Sequence, residues 1–346
     1  METSRKNVFS TNLILLFVST ILSLLIGELV ARNFAVVRNV GPSFTEYHPV
    51  YGKWHKKNIS CERFTPEFEM HLSTNSLGCR GPEPGRFPER GVLFLGDSFT
   101  EGYGVNNEEA YPELVRRVLM QQYGKDSVPV VNAGMGDLGN GLWLKFLKHE
   151  GKHFNPRLVV LQMSDNDFSD NLHEKMFSLN EKDSLIEYPV AARGSSRTIQ
   201  SVLEAIPGIS YSYLAGLLKQ ALWSSVRPPR SAVDGQPGPA DQLTYRLVDE
   251  ILTLCERERW PVLVLAVGIE PSRFERMQQL VQKHRTQLIK SPAFNQRPEL
   301  FYSYDGHWRA NGHEFVANQV LDAITVSGVL EQSPQTPVGQ ASRSSN

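Results

Sequence analysis

Short, wholly apolar runs of strand length alternate with amphipathic helical stretches along most of this chain, and that alternation restricts the fold more than any other feature. The runs "GVLFLG" (91–96), "VPVVNA" (128–133), "RLVVLQM" (157–163) and "PVLVLAVG" (261–268) lack the every-other-residue polarity of a strand with one wet face. Such runs belong to strands covered on both sides. Helical periodicity fills the gaps, at about 110–122, "GLWLKFLKHEG" (141–151), 241–258 and "SRFERMQQLVQKHRTQ" (272–287), with a last helix over "NGHEFVANQVLDAI" (311–324). The order predicts an α/β chain: a three-layer α/β/α sandwich around a parallel sheet. With 346 residues, 40% of them hydrophobic, and no internal repeat, the chain fills one such core rather than two.

Ahead of that body stands "VFSTNLILLFVSTILSLLI", Val8 to Ile26, uncharged and about long enough to cross a bilayer. Arg5 and Lys6 before it favour an inside N-terminus, while Arg32, Arg38, Lys53, Lys56 and Lys57 beyond it pull the other way. The run exceeds a usual signal-peptide core and the cleavage pattern is poor, so we read a single-pass anchor with a periplasmic or extracellular body in preference to a cleaved signal. The expected organisation is a cytoplasmic stub and transmembrane anchor over 1–34, a connecting segment over 35–90 packed on the body, the body at 91–326 with an insert at about 170–240, and a disordered tail at 327–346. Within the insert, "SYLAGLLKQALW" (212–223) reads as a helix and the Pro- and Gly-rich stretch 226–242 as a flexible surface loop.

Composition narrows the partners. Lys+Arg of 36 against Asp+Glu of 37, with no basic run, excludes the electrostatic footprint of a nucleic-acid binder. Three cysteines, Cys61, Cys79 and Cys255, cannot build a disulfide framework. In an oxidising compartment Cys61 and Cys79 are able to pair; equally, all three serve as small buried hydrophobes. No spacing suits a zinc site, and no metal or cofactor is expected.

The first apolar strand runs into "GDSFTEG" and so places Ser98 where a strand end meets a helix start, the crevice in which open α/β sheets bind ligands. A serine there is a candidate nucleophile near helix N-terminal amides; the alternative is that Asp97, Ser98 or Thr100 merely caps the helix. A base is available in "YSYDGHWRANGH". Asp305 and His307 are two apart, so an extended segment would send both side chains the same way, the carboxylate fixing the imidazole tautomer. His313, inside the following helix, reads as structural. Oxyanion donors are offered at two further strand ends: backbone N–H groups at Gly134 or Gly136 in "VVNAGMGDLGNG", and the Asn166 side chain in "LQMSDNDFSDN". Tight turns account for the same glycines and for the Asn166 cluster equally well.

Two rival readings use the same residues. "GMGDLG", Gly134 to Gly139, matches the Gly-x-Gly-x-x-Gly of dinucleotide sites, but an earlier strand precedes it, no ribose-binding acid is clearly placed, and Ser98, Asp305 and His307 stay unexplained. A non-catalytic, anchored carbohydrate-binding or scaffold protein is the other; every polar position the chemistry needs is nonetheless filled.

Taken together, Ser98 in "FLGDSFTEG", Gly136 in "NAGMGD", Asn166 in "DND" and the Asp305–His307 pair in "DGHW" resemble the four blocks of the SGNH hydrolases, the GDSL lipase/esterase family. The resemblance covers roughly residues 73–320 and extends to the membrane-anchored bacterial branch, where a stretch like "STNSLGCRGPE" precedes "LGDSFTEGYGV". It departs in Phe99 for the usual Leu, a glycine block one residue short, two rather than three positions between Asp305 and His307, and Arg309 where Asn is common. The resemblance implies a parallel, flavodoxin-like sheet and a metal-free serine esterase. Its catalytic residues would be Ser98, His307 and Asp305, with an oxyanion hole of Ser98, Gly136 and Asn166. The implied substrate is an ester-bearing small molecule or saccharide, such as an O-acyl group on a carbohydrate or other envelope molecule. Related chains ending in similar blocks transfer acyl groups to sugar hydroxyls, so O-acyl transfer competes with hydrolysis.

Overall fold

The computed structural model describes residues 2–84, 90–124, 128–190, 206, 208–224 and 238–331. Two short antiparallel ladders come first, β1 (Thr45–Glu46) with β2 (Trp54–His55) and β3 (Ser60–Phe64) with β4 (Glu69–Ser73). The body follows with β5 (Val92–Leu95), β6 (Val130–Asn132) and β7 (Leu158–Ser164); a small β8 (Phe177–Leu179)–β9 (Leu185–Glu187) hairpin intervenes before β10 (Val262–Val267) and β11 (Gln287–Ser291). The five body strands form one parallel sheet in the order β11-β10-β7-β5-β6. In chain order that is the doubly wound, flavodoxin-like arrangement, and it puts the topological switch point between β5 and β7. Both faces are covered. Helices Asn140–Phe154, Pro239–Glu258 and Pro271–Lys283 pack on one side around Trp143, Leu161 and Val248. Tyr111–Tyr123 and Ala310–Ser327 pack on the other around Phe94, Val160 and Val316.

One expected element is corrected. The helix read over 272–287 ends at Lys283; Arg285 takes a positive φ of 51°, and Gln287–Ser291 forms the fifth strand, paired with β10. Strand β11, at one edge of the sheet, alternates buried and exposed side chains, so it lacks the continuous apolar run that marks the other four.

Residues 35–84 lie on the body. Trp54 stacks on Phe146 of the helix Asn140–Phe154 at 5.3 Å, and Arg80 pairs its backbone with Asn132 at the free edge of β6. Cys61, Cys79 and Cys255 are unpaired and buried, and burial pushes the Cys79 and Cys255 thiols up to about 12. The N-terminal helix spans Glu2–Phe34; within its Thr11–Phe34 portion an 18-residue stretch has a mean hydropathy of 2.5 and is exposed, a length and composition that a membrane span and a signal sequence share. Glu28 near its end accepts from Ser212 Oγ and from the Tyr213 and Leu214 amides, which ties it to the insert helix Tyr213–Ser224. Most of the loop expected at 226–242 lies outside the described residues; by Pro239 the chain is already helical. The expected disordered tail is described only to Glu331, with Leu330 buried against the body, and 332–346 lie outside the described residues.

Candidate active site

The end of β5 is built around a glycine with no room for a side chain. A Cβ on Gly96 would stand 2.3 Å from both Gln162 Oε1 and Thr100 Oγ1. Gln162 on β7 uses the close approach to accept from the Asp97 amide and from Thr100 Oγ1, which fixes the strand-to-helix turn. Asp97 then caps the four-residue helix Ser98–Glu101, its Oδ1 accepting from Phe99 N at 2.9 Å. Its other oxygen accepts from Ser164 Oγ and from Asn166 Nδ2. Capping thus falls to Asp97, which leaves the Ser98 hydroxyl free to face the crevice, while the Ser98 amide, first in the helix, has no intrahelical acceptor.

His307 meets that hydroxyl. Its Nε2 lies 2.6 Å from Ser98 Oγ, and its Nδ1 is hydrogen-bonded to Asp305 Oδ1. Phe99 and Tyr103 pack against the ring at 5.1 Å each. Burial disfavours the charged ring, but the Asp305 bond and charge outweigh it and hold the His307 pKa above its ordinary value. The segment is not extended, as the spacing alone suggested. Residues 303–305 turn, and Gly306 at φ +84° brings the two side chains together in a conformation that favours glycine. The turn is held from a distance: the Ser303, Tyr304 and Asp305 amides all donate to the Glu67 carboxylate at 2.7–2.8 Å. His313 lies apart in the core, stacked on Tyr111 and accepting from its amide through Nδ1, with burial pushing it down to about 3.

The two outlying donor candidates both reach this corner, and both are engaged. A Cβ on Gly136 would lie 3.2 Å from Ser98 Cβ, so the residue packs against the serine; its N–H donates to Glu101 Oε1 at 3.3 Å. Gly134 is packed on the Thr100–Glu101 backbone, with its own amide bonded to Asn132 Oδ1. Asn166 follows β7 and gives its side-chain N–H groups to Asp97 Oδ2 and Asp170 Oδ2. The Gly-x-Gly-x-x-Gly pattern is explained by these contacts. Gly134, Gly136 and Gly139 lie against Glu101, Ser98 and Asn171 rather than around a phosphate-sized space.

Four side chains that the motifs did not flag also shape the site: Glu67 under the histidine turn, Glu101 and His55 beside Gly136, and Lys53, whose Nζ donates to Gly136 O at 2.6 Å. Of these only Glu101 carried a local signal, one turn after Ser98 on the same short helix. Beside Phe99, Asn166 and Gly306 opens a cleft of about 930 Å³ along the ends of β7, β10 and β11, lined by Asp165, Arg273, Phe274 and Phe294 among others.

Several solved structures resemble this chain. They include the psychrotrophic esterase EstA from Pseudoalteromonas sp., inhibited by monoethylphosphonate (12% identity, 70% of this chain and 100% of that one, TM-score 0.43). An alpha/beta hydrolase enzyme from the metagenome of Lake Arreo, Spain, is similar at 11% identity over 70% of this chain and 97% of that one, TM-score 0.42. The acetyl xylan esterase AlAXEase is similar at 15% identity over 67% of this chain and 98% of that one, TM-score 0.41. No curated protein matches the sequence. Residues 92–320 match the sequence profile of the GDSL-like lipase/acylhydrolases, and the chain belongs to that family of ester-bond hydrolases.

Proposed function

We propose that the protein is a Ser-His-Asp esterase acting through an acyl-enzyme, with Ser98 as nucleophile, His307 as base and Asp305 as its orienting carboxylate. The observation that carries this reading is the His307 ring standing between Ser98 Oγ, at 2.6 Å from Nε2, and the Asp305 carboxylate on Nδ1. In the first step Nε2 takes the hydroxyl proton as Oγ bonds to the ester carbonyl carbon. The carbonyl oxygen becomes an oxyanion, received by the Ser98 N–H, by the Gly136 N–H, which shares its hydrogen with Glu101, and by Asn166 Nδ2, which turns from Asp97 toward it. Collapse expels the alcohol, protonated by His307; water then adds to the acyl-Ser98 ester, giving its proton to His307, and the second collapse releases the acid and regenerates Ser98.

For the alcohol side, the adjoining cleft supports an O-acylated saccharide. At about 930 Å³ it is at the upper end of small-molecule sites, and it combines aromatic surfaces at Phe274 and Phe294 with polar groups at Asp165, Asn295 and Gln296. The exposed apolar Thr11–Phe34 helix, after Arg5 and Lys6, supports an anchored chain with its body outside the cytoplasm.

The test pairs a fluorophosphonate probe with turnover. Mass spectrometry is expected to find the label on Ser98, with Ser98→Ala unlabelled and His307→Ala labelled at least about a hundredfold more slowly. Acetylated oligosaccharides are expected to be hydrolysed with higher kcat/KM than p-nitrophenyl acetate. A folded protein that takes no label sinks the serine mechanism, and a preference for the simple ester sinks the saccharide reading.

A further inference from the structure

We propose that the buried pair His55–Glu101 is a positioning device for the Gly136 oxyanion donor, and that the one proton it shares leaves the pair without net charge while the oxyanion forms. The proposal rests on the reading of Ser98 as nucleophile.

His55 and Glu101 are 1% and 2% exposed, and neither takes part in the steps above. His55 Nδ1 lies 3.1 Å from the carbonyl oxygen of Gly78, which only accepts, so Nδ1 carries a hydrogen. Nε2 lies 2.6 Å from Glu101 Oε1, and that contact needs one proton between the two atoms. Whether this proton sits on nitrogen or on oxygen, the pair has no net charge.

The same Oε1 accepts from the Gly136 amide at 3.3 Å, while Glu101 Oε2 would touch a Cβ built on Gly136 at 3.1 Å, beside Ser98. Lys53 takes the other side of that residue, donating to Gly136 O at 2.6 Å. Lys53 and Glu101 therefore hold Gly136, whose Cα side lies against Ser98, at its carbonyl and at its amide. Its bond to Glu101 is long and weak, so the N–H is aimed without being consumed. An unpaired carboxylate at this position would repel the developing negative charge in a site of low dielectric; the His55 proton removes that penalty. Burial alone would raise the Glu101 pKa, and the His55 bond and charge, with the Lys53 charge, outweigh it and lower it.

The experiment measures kcat and KM for a p-nitrophenyl ester with full-length protein in detergent, melting temperature being followed in parallel. Glu101→Asp keeps the charge and draws the carboxylate back from Gly136; kcat is expected to fall about tenfold to a hundredfold with KM within about twofold. His55→Gln takes the shared proton from the carboxylate and leaves it charged beside Gly136, and a similar fall in kcat is expected. The double variant H55Q/E101Q restores neutrality and is expected to recover at least about tenfold over H55Q, a rescue that a merely structural pair would not give. A double variant no faster than H55Q overturns the proposal, as does an E101D kcat within about twofold of the parent. Should H55Q not fold, E101D alone decides. Ser98→Ala, run alongside, separates the two readings: turnover surviving that change overturns the nucleophile, whereas unchanged kcat in E101D with dead Ser98→Ala overturns this inference only.

Discussion

Burial and the Asp305 carboxylate pull the His307 ring in opposite directions, and the outcome sets how the site responds to acid. In the proposed mechanism the ring takes a proton from Ser98 only when Nε2 is unprotonated, so activity is expected to be lost as pH falls through the His307 pKa. That pKa is raised above the ordinary 6.5, because the Asp305 bond and charge outweigh desolvation. The acid limb of kcat/KM is therefore expected above about pH 6.5. Asp305→Asn removes the charge and presents an amide that favours the wrong tautomer. The limb is expected to move toward lower pH while kcat falls by about a hundredfold or more. A pH profile of both proteins decides the matter, and a limb that stays in place would remove Asp305 from its orienting role.

At the level of elements, the turn 303–305 depends on a carboxylate far away in sequence. Glu67 gathers three successive amides of the turn, so it acts as an external cap for the segment that carries Asp305 and His307. Glu67→Ala is expected to lower kcat about tenfold or more by loosening the histidine, since a displacement of about 1 Å at a reacting group is costly. Hydrogen exchange at Ser303, Tyr304 and Asp305 is expected to quicken in the same variant; unchanged exchange would show that the turn holds itself. What was legible in the sequence follows from the same physics. The other four strands announce themselves because both faces are dry, whereas β11, with its alternating exposure, was absorbed into the helical period before it. Ser98 and the Asp305–His307 pair were readable because each motif is local. Glu67 and His55 reach the site across the fold, one to residues 236 to 238 positions away and the other to a residue 46 positions away, and nothing near them in sequence signals that use.

For the whole molecule, the consequence is that the part carrying the family motifs is not the whole of the working unit. The family match begins at residue 92, but the helix Ser98–Glu101 is held from outside it. Arg80, 3% exposed, donates to the carbonyl oxygens of Glu101, Gly102 and Val105 and to Asn107 Oδ1. Without it, three buried carbonyls lose a partner at about 1–3 kcal/mol each. Trp54 covers Phe146, Lys53 and His55 brace the Gly136 peptide, and Glu67 fixes the histidine turn. A chain beginning at residue 35 keeps all of these and is expected to fold and to take a fluorophosphonate label at Ser98 within about threefold of the full-length rate. A chain beginning at residue 91 retains Ser98, Asp305 and His307, yet it is expected to lose near-UV circular dichroism and to label at least about a hundredfold more slowly, because the donors and the base are no longer held in place. Equal labelling of the two chains would mean that the sheet alone positions the site and that residues 35–90 only cover it.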